Sequence, residues 1–523
     1  MLAGSNMVLQ QAPQQAIIWG FTNKTGVKVS ASLDGGAAMT ATSGTDHTWR
    51  ITLPATPAST TPHKIAISSS AGDAATLENV LFGEVFIWWV GPLGPLSSAA
   101  HESIPCGIPW VHCDVVRARA CRELTRRAGP FRPRSPPTSG GQSNMAFSLP
   151  ANTNSTEEVA TAAKAYPHVR VMTVGQRTSS PTRLTDLHTV QWRWSSTTPA
   201  AMDAGGRFGQ FSSVCWFFGK QVADGLGGDV PIGLVSDNWG GTPVEAWSTK
   251  ESLATCGDNT TDATTHLFNA MINPFTVGPM TLKGFTWYQG ESNTHAGQVE
   301  AYACRFPAMI TAWREAFKNP AAYFGFVQLS TWCGSLIPEM RQTQLEAFVK
   351  LKNVGFAVNA DHGAGCNIHP PPKQCCGYRL GNSALAIAYG KSIPWQSPGF
   401  VSQTFSASPA SATIKLDQTS TAGVDNTTKP FNEGTVNCSL PLAGCAWASL
   451  KLADGTWVNA TISVTAPDEI TLTVAAGITL SAAATVGPPV ASSYAWGANP
   501  MMNVYDKTTG LPLLPFNSSF VPY

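Results

Sequence analysis

SSVCWFFGKQVADGLGGDVPIGLVSDNWGG, residues 212 to 241, decides the fold class. Its first part, to Leu226, carries a helical pattern, and IGLVSDNW (Ile232 to Trp239) reads as an apolar strand that ends in a glycine pair. A helix feeding a buried strand that opens into polar, Gly-rich residues is the repeating unit of a parallel α/β sheet. Open sheets of this kind place their sites at the carboxyl ends of the strands.

The same alternation extends from Gly140 to about Trp395. VRVMTV, GFTWYQG, YFGFVQLS and VGFAVNAD are further strand candidates, and AYACRFPAMITAWREAF and RLGNSALAIAYG are helix candidates. Upstream, QAIIWGF, VKVSASLDGG and HKIAISSS alternate apolar and polar residues between Gly, Pro and Asp breaks, as a small antiparallel β-region does. Beyond Ile393 the helices stop, and WASLKLADGTWVNA and EITLTVAAGITL predict a second β-region with hairpin turns. The expected organisation is thus an N-terminal β-domain over residues 1–80, an α/β domain over 81–395 and a C-terminal β-domain over 396–523.

One stretch does not fit. GEVFI (Gly83 to Ile87) is a buried-strand candidate, but Trp88 to Thr138 then brings Cys106, Cys113, Cys121 and a basic cluster with no helical or strand period. A loop of that length inside a compact domain argues against a simple structural reading. A lid, a disordered insertion and sequence foreign to the fold, such as a translated intron, compete. Continuity of the strand-and-turn pattern on either side favours the last two.

A chain of 523 residues exceeds what one hydrophobic core organises. Only 12% of residues are charged, and 33 Lys+Arg against 32 Asp+Glu leave a net charge of +1, which argues against nucleic-acid and anionic-membrane partners. The longest apolar runs fall short of the roughly 20 residues a membrane helix needs. Seven N-x-[ST] sequons, at Asn23, Asn154, Asn259, Asn426, Asn437, Asn459 and Asn517, and 12 cysteines without metal-ligand spacing suggest a secreted, lysosomal or lumenal protein. Cys438 and Cys445 are spaced to close a short loop. The opening MLAGSNMVLQQAP has neither a basic start nor an apolar core, so the reading is a mature chain or one whose beginning is missing.

Four segments carry chemistry. In Ser139-Gly140-Gly141-Gln142-Ser143-Asn144-Met145, small residues let the backbone turn sharply and expose the Ser143 hydroxyl, although a turn serine that merely caps a helix gives the same pattern. Asn238-Trp239-Gly240-Gly241-Thr242 follows a strand, where Gly240 or Gly241 could aim a backbone N–H at a developing oxyanion. Trp287-Tyr288-Gln289-Gly290-Glu291-Ser292-Asn293 offers the Gln289 amide to the same oxyanion and Glu291 as an acceptor that holds the loop. In Asp361-His362-Gly363-Ala364-Gly365-Cys366-Asn367-Ile368-His369-Pro370, His369 lies where a loop meets the last helix and can reach back to a serine; His362 is the rival base.

Together these segments resemble the sialate O-acetylesterase family of the SGNH-type hydrolases. The matching pieces are MVLQQAP with Trp19-Gly20, then GQSNM, NWGGTPVEAW, WYQGESN, and IHP followed by KQ and GYRL, in the family's order. The resemblance implies a three-layer α/β/α domain with a parallel sheet, Ser143 as nucleophile and His369 as base. It further implies an oxyanion hole from the backbone of Ser143, Gly240 or Gly241 and the side chain of Gln289, and no metal or organic cofactor. Glu291, Asn293 and Arg341, the last in PEMRQTQ, are the expected substrate contacts; an arginine there could equally be an ion-pair partner. The chain departs from the SGNH pattern where an Asp should precede the His by three residues: Cys366 stands there, and Asp361 is the substitute candidate for the triad acid, with a backbone carbonyl as the fallback. The expected activity is deacetylation of an O-acetylated carbohydrate, most simply a sialic acid. Plant-type polysaccharide acetyl groups, or glycan binding by a catalytically impaired site, are the alternatives.

Overall fold

A computed structural model of the protein describes residues 4–91, 143–152, 155–175, 178–203, 206–208, 211–426, 447–478, 487–500 and 502–520, with backbone alone for 88–91. Nearly all of the 88–138 stretch lies outside the described residues, as do Cys438, Cys445 and the sequons at Asn154 and Asn437.

The architecture is mixed α/β around a central sheet. Its strand order is Val354–Ala357, Tyr323–Val327, Gly284–Trp287, Ala74–Gly91, Ile232–Trp239, Val169–Val174, Val190–Ser196. Every neighbouring pair is parallel except the last, where Val190–Ser196 adds an antiparallel edge. That edge strand was not expected from the sequence; its residues alternate between half-buried and exposed, as suits a strand covered on one side.

The centre of the sheet is the 18-residue strand Ala74–Gly91. Its first half pairs antiparallel with Ser59–Ser69 and parallel with Val8–Gln10, while its second half runs between Gly284–Trp287 and Ile232–Trp239. The boundary expected near residue 80 therefore falls inside one continuous strand, and the N-terminal β-region and the α/β sheet share it. The strand also outruns GEVFI: Trp88 pairs with Ser236 and Thr286, and Gly91 with Trp239. A strand buried on both faces needs an unbroken apolar run, and Val80, Leu81, Phe82, Val85, Phe86 and Ile87 are all fully buried. Gly83 interrupts them because a side chain there would stand 1.9 Å from the Pro231 carbonyl oxygen. Glu84, the one charge in the run, is held by the amides of Gln10 (2.7 Å) and Gln11 (2.8 Å), which offsets the cost of burying it.

On one side Phe285 and Trp287 of the sheet pack against Phe306, Trp313 and Phe317, with rings that meet largely edge to face, a geometry that adds roughly 0.5–1.5 kcal/mol per pair beyond burial. Helices Ser213–Gly225 and Gln374–Tyr389 pack against each other. Ser212 caps the first by accepting the Cys215 N–H at 3.2 Å, a contact worth about 1 kcal/mol.

A seven-stranded sheet follows, in the order Gly399–Ala407, Ala410–Asp417, Glu469–Val474, Trp457–Ala466, Ala448–Lys451, Ala491–Tyr494, Phe516–Asn517. Its neighbouring strands all pair antiparallel. Ala412, Ile414 and Leu416 turn into its core with Leu450, Ile470, Leu472 and Tyr494, while Lys415 between them faces out, the period of two that a one-sided sheet requires. Disulfides join Cys256 to Cys304 and Cys333 to Cys366. Among the described residues no helix is long and apolar enough to cross a membrane.

Candidate active site

The strands Ile232–Trp239, Gly284–Trp287, Tyr323–Val327 and Val354–Ala357 all end on one edge of the sheet, and the segments singled out in the sequence leave from that edge. Ser143 opens the single-turn helix Ser143–Ala146, which packs on the strands Ala74–Gly91 and Ile232–Trp239. His369 belongs to the loop between Val354–Ala357 and helix Gln374–Tyr389. Although 226 residues separate them, the Ser143 hydroxyl and His369 Nε2 share a hydrogen bond. The imidazole also meets the Phe208 ring in an edge-type contact, with ring centroids 5.0 Å apart.

Burial holds His369 at about 3, well below the ordinary imidazole value, and the nearby charges of Lys373 and Arg207 push in the same direction. The ring is therefore neutral near pH 7, the form able to accept a proton. Arg207 itself is exposed, and among the described residues no carboxylate pairs with it.

Beneath this pair lies a buried polar cluster. Asn144 Nδ2 donates to Glu291 Oε1 (2.8 Å) and to the Ile368 carbonyl (2.7 Å), while Asn144 Oδ1 accepts from Lys373 Nζ (2.7 Å). Lys373 Nζ also donates to the Pro370 carbonyl (2.7 Å) and lies over the Phe147 ring at 4.8 Å. Burial lifts Glu291 to about 7, opposed by its backbone N–H, Asn144 and Lys373; burial also lowers Lys373 to about 8, opposed by Cys376 and Glu291. Glu291 is thus enclosed by protein and does not face a substrate, contrary to the expected contact.

The turn after Ile232–Trp239 is made by Gly240 and Gly241, the latter at φ 77°, a conformation that favours glycine. Gln289 does not offer its amide to the site. Its Nε2 donates to Asn293 Oδ1 (2.7 Å) and to the Thr242 carbonyl (3.3 Å), and its Oε1 accepts from the Tyr302 hydroxyl (2.8 Å). Asn293 is likewise turned inward: Oδ1 also accepts the Val244 N–H (3.0 Å), and Nδ2 donates to Glu245 (3.0 Å). These two amides tie the glycine turn to the Gln289–Asn293 loop, so they support the turn instead of touching a ligand.

Two further expectations are corrected. Asp361 is not the partner of His369: both its oxygens are taken by Arg379, at 2.7 Å each. Burial opposes ionisation of that carboxyl, yet the Arg379 charge and hydrogen bonds outweigh it and hold Asp361 below its usual value. His362 is the neighbour of Asp361, at 3.5 Å. Arg341 is no substrate contact: its guanidinium, fully buried, donates to the carbonyls of Leu329 (2.8 Å), Ser330 (2.8 Å), Gly497 (2.7 Å) and Ala498 (2.9 Å). It fastens the α/β sheet to the C-terminal β-region.

The family described as carbohydrate esterase, sialic acid-specific acetylesterase, matches residues 139–369. Sialate O-acetylesterase of Rattus norvegicus is 31% identical over 462 residues, covering 75% of this chain and 74% of the relative. The chain belongs to the sialate O-acetylesterase family. The human sialate O-acetylesterase is 38% identical over 291 residues, so that match spans 49% of this chain and only 54% of the relative's length. In fold, the crystal structure of a carbohydrate acetylesterase from Xanthomonas citri is similar at a TM-score of 0.74, with 25% identity and 99% of each chain covered.

Within this family member, sequence reasoning left Asn144 and Lys373 without roles, although GQSNM and the KQ pair contain them. A lysine after a proline run reads as solvated surface, and only the fold shows its burial. Phe208 and Arg207 carried no motif at all.

Proposed function

We propose that the chain hydrolyses O-acetyl esters of sialic acids through an acetyl-enzyme on Ser143, with His369 as the general base, in an SGNH-type three-layer domain. The hydrogen bond between the Ser143 hydroxyl and His369 Nε2 carries this reading. Ser143 Oγ attacks the acetyl carbonyl as its proton passes to Nε2, and the imidazolium returns that proton to the departing sugar oxygen. Water then attacks the acetyl carbon, deprotonated by the same imidazole, and frees acetate and Ser143. Backbone N–H groups of Ser143 and of the Gly240-Gly241 turn are the oxyanion donors in this scheme, since the Gln289 amide is committed elsewhere.

The choice of sialic acid over a neutral sugar is supported by the family's characterised relatives and by Arg207, a cation beside the base with no acidic partner among the described residues. A sialic acid carries a carboxylate that guanidinium recognises in a planar, two-pronged contact. Two disulfides suit a secreted or lumenal compartment.

The test is acetate release from an O-acetylated sialoside and from acetylated xylan, by the wild-type chain and by Ser143→Ala. The sialoside should be the better substrate, and the variant should lose activity by more than about 10³-fold. Undiminished turnover by Ser143→Ala would remove the nucleophile assignment; preference for xylan would move the substrate to the plant-type polysaccharides.

A further inference from the structure

We infer that Asn144 and Lys373 are positioning residues for His369, clamping the backbone carbonyls of the residues before and after the base in place of a triad carboxylate. This rests on the activity proposed above. The carbonyl of the preceding residue, Ile368, accepts from Asn144 Nδ2, and that of the following residue, Pro370, accepts from Lys373 Nζ, each at 2.7 Å. The His369 N–H is itself taken by Asn367 Oδ1 at 3.0 Å. Among the described residues no carboxylate bonds the imidazole, and Asp361, the nearest candidate in sequence, is committed to Arg379. The ring's placement therefore comes from its backbone and from the Phe208 ring.

The clamp is internally ordered. Lys373 Nζ–H points to Asn144 Oδ1, and Asn144 Nδ2–H points to Glu291 Oε1, so cation, amide and carboxylate run donor to acceptor in one direction. That polarity fixes which way the Asn144 amide faces and hence that Nδ2, not Oδ1, meets the Ile368 carbonyl. Because Asn144 follows Ser143 in the chain, the group that sets the base is covalently tied to the nucleophile. The two reacting side chains are thus positioned by one rigid unit, in which displacement of either is resisted by buried hydrogen bonds.

The experiment compares wild type, Asn144→Asp, Lys373→Met and Glu291→Gln with p-nitrophenyl acetate, alongside the rate of Ser143 labelling by a fluorophosphonate and folding by circular dichroism. Asn144→Asp keeps the side-chain volume but presents an acceptor to Ile368 and Glu291. Lys373→Met keeps the apolar stem against Phe147. Both should remain folded and lose on the order of 10²-fold in kcat and in labelling rate with KM nearly unchanged, the scale expected for a misplaced catalytic group. Glu291→Gln keeps an acceptor for Asn144 and should lose less in kcat than either of the other two variants.

Folded Asn144→Asp and Lys373→Met enzymes with near wild-type kcat, or a loss confined to KM, would overturn the inference. So would a Glu291→Gln loss as deep as theirs, which would make the charge and not the geometry decisive. Failure of both clamp variants to fold would also overturn it, by making the cluster a requirement of folding. If the proposed function itself were wrong, wild type would neither hydrolyse the ester nor be labelled at Ser143, a result distinct from all of these.

Discussion

Cys366 is bonded to Cys333, so a covalent link enters the base loop three residues before His369. It stands at the position where SGNH-type hydrolases carry their Asp, and it joins that loop to the segment after strand Tyr323–Val327. Replacing both cysteines with serine should lower stability by about 2–4 kcal/mol, read as a shift of the urea midpoint. Activity should fall with it through kcat, because the loop that bears the imidazole loses its anchor. Unchanged kcat in a folded double variant would confine the bond to a stabilising role.

Arg341 separates a structural from a ligand-contacting arginine. Arg341→Met removes donors from four buried carbonyls at the junction with the C-terminal β-region. Leaving buried acceptors unpaired costs about 1–3 kcal/mol each, so a loss of at least about 3 kcal/mol in unfolding free energy is expected. The remaining folded enzyme should show an unaltered KM. A raised KM at undiminished stability would return Arg341 to the substrate site.

These cases mark how far the sequence could be read. The parallel sheet was legible because Ile232–Trp239 opens on an apolar run and Val169–Val174 is mostly apolar, and both strands are buried along nearly their whole length, as strands covered on both faces are. Ser143 and His369 could be singled out from their motifs, but their pairing was implied only by the family resemblance; the fold brings the two side chains into contact. Arg341 was not, because charged side chains are seldom fully buried and a surface or ligand role is the ordinary outcome. Asp361 misled for a related reason: its partner, Arg379, lies one and a half turns into the following helix, and nothing in the spacing says whether that arginine or His369 is nearer. Gln289 and Asn293 have the right chemistry for oxyanion or substrate contacts, yet their direction depends on Tyr302, Thr242 and Glu245.

The pH dependence follows from the imidazole. Burial, then the charges of Lys373 and Arg207, hold His369 at about 3. A base works in its neutral form, so a lowered value keeps it active to lower pH, and activity is lost only as pH falls through that value. The acid limb of kcat/KM with p-nitrophenyl acetate should therefore lie well below 6.5 as long as the protein remains folded. Arg207→Gln removes one of the depressing charges and should move the limb upward. A limb at the ordinary imidazole value in the wild type would contradict the depression.

Arg207 also bears on specificity, and its two effects can be separated by choice of substrate. It is exposed beside Phe208, whose ring abuts His369, and the imidazole feels its charge. A carboxylate on the sugar would form a charge-assisted contact there, and losing such a contact costs about 1.5–3 kcal/mol, or roughly tenfold to a hundredfold in affinity. Arg207→Gln should raise KM for an O-acetylated sialoside by at least about tenfold, while p-nitrophenyl acetate, which has no carboxylate, keeps its KM. Methyl esterification of the sialoside should mimic the substitution in the wild-type enzyme and have no further effect in the variant. If both substrates suffer equally, Arg207 acts through His369 alone, and the carboxylate is read by another group.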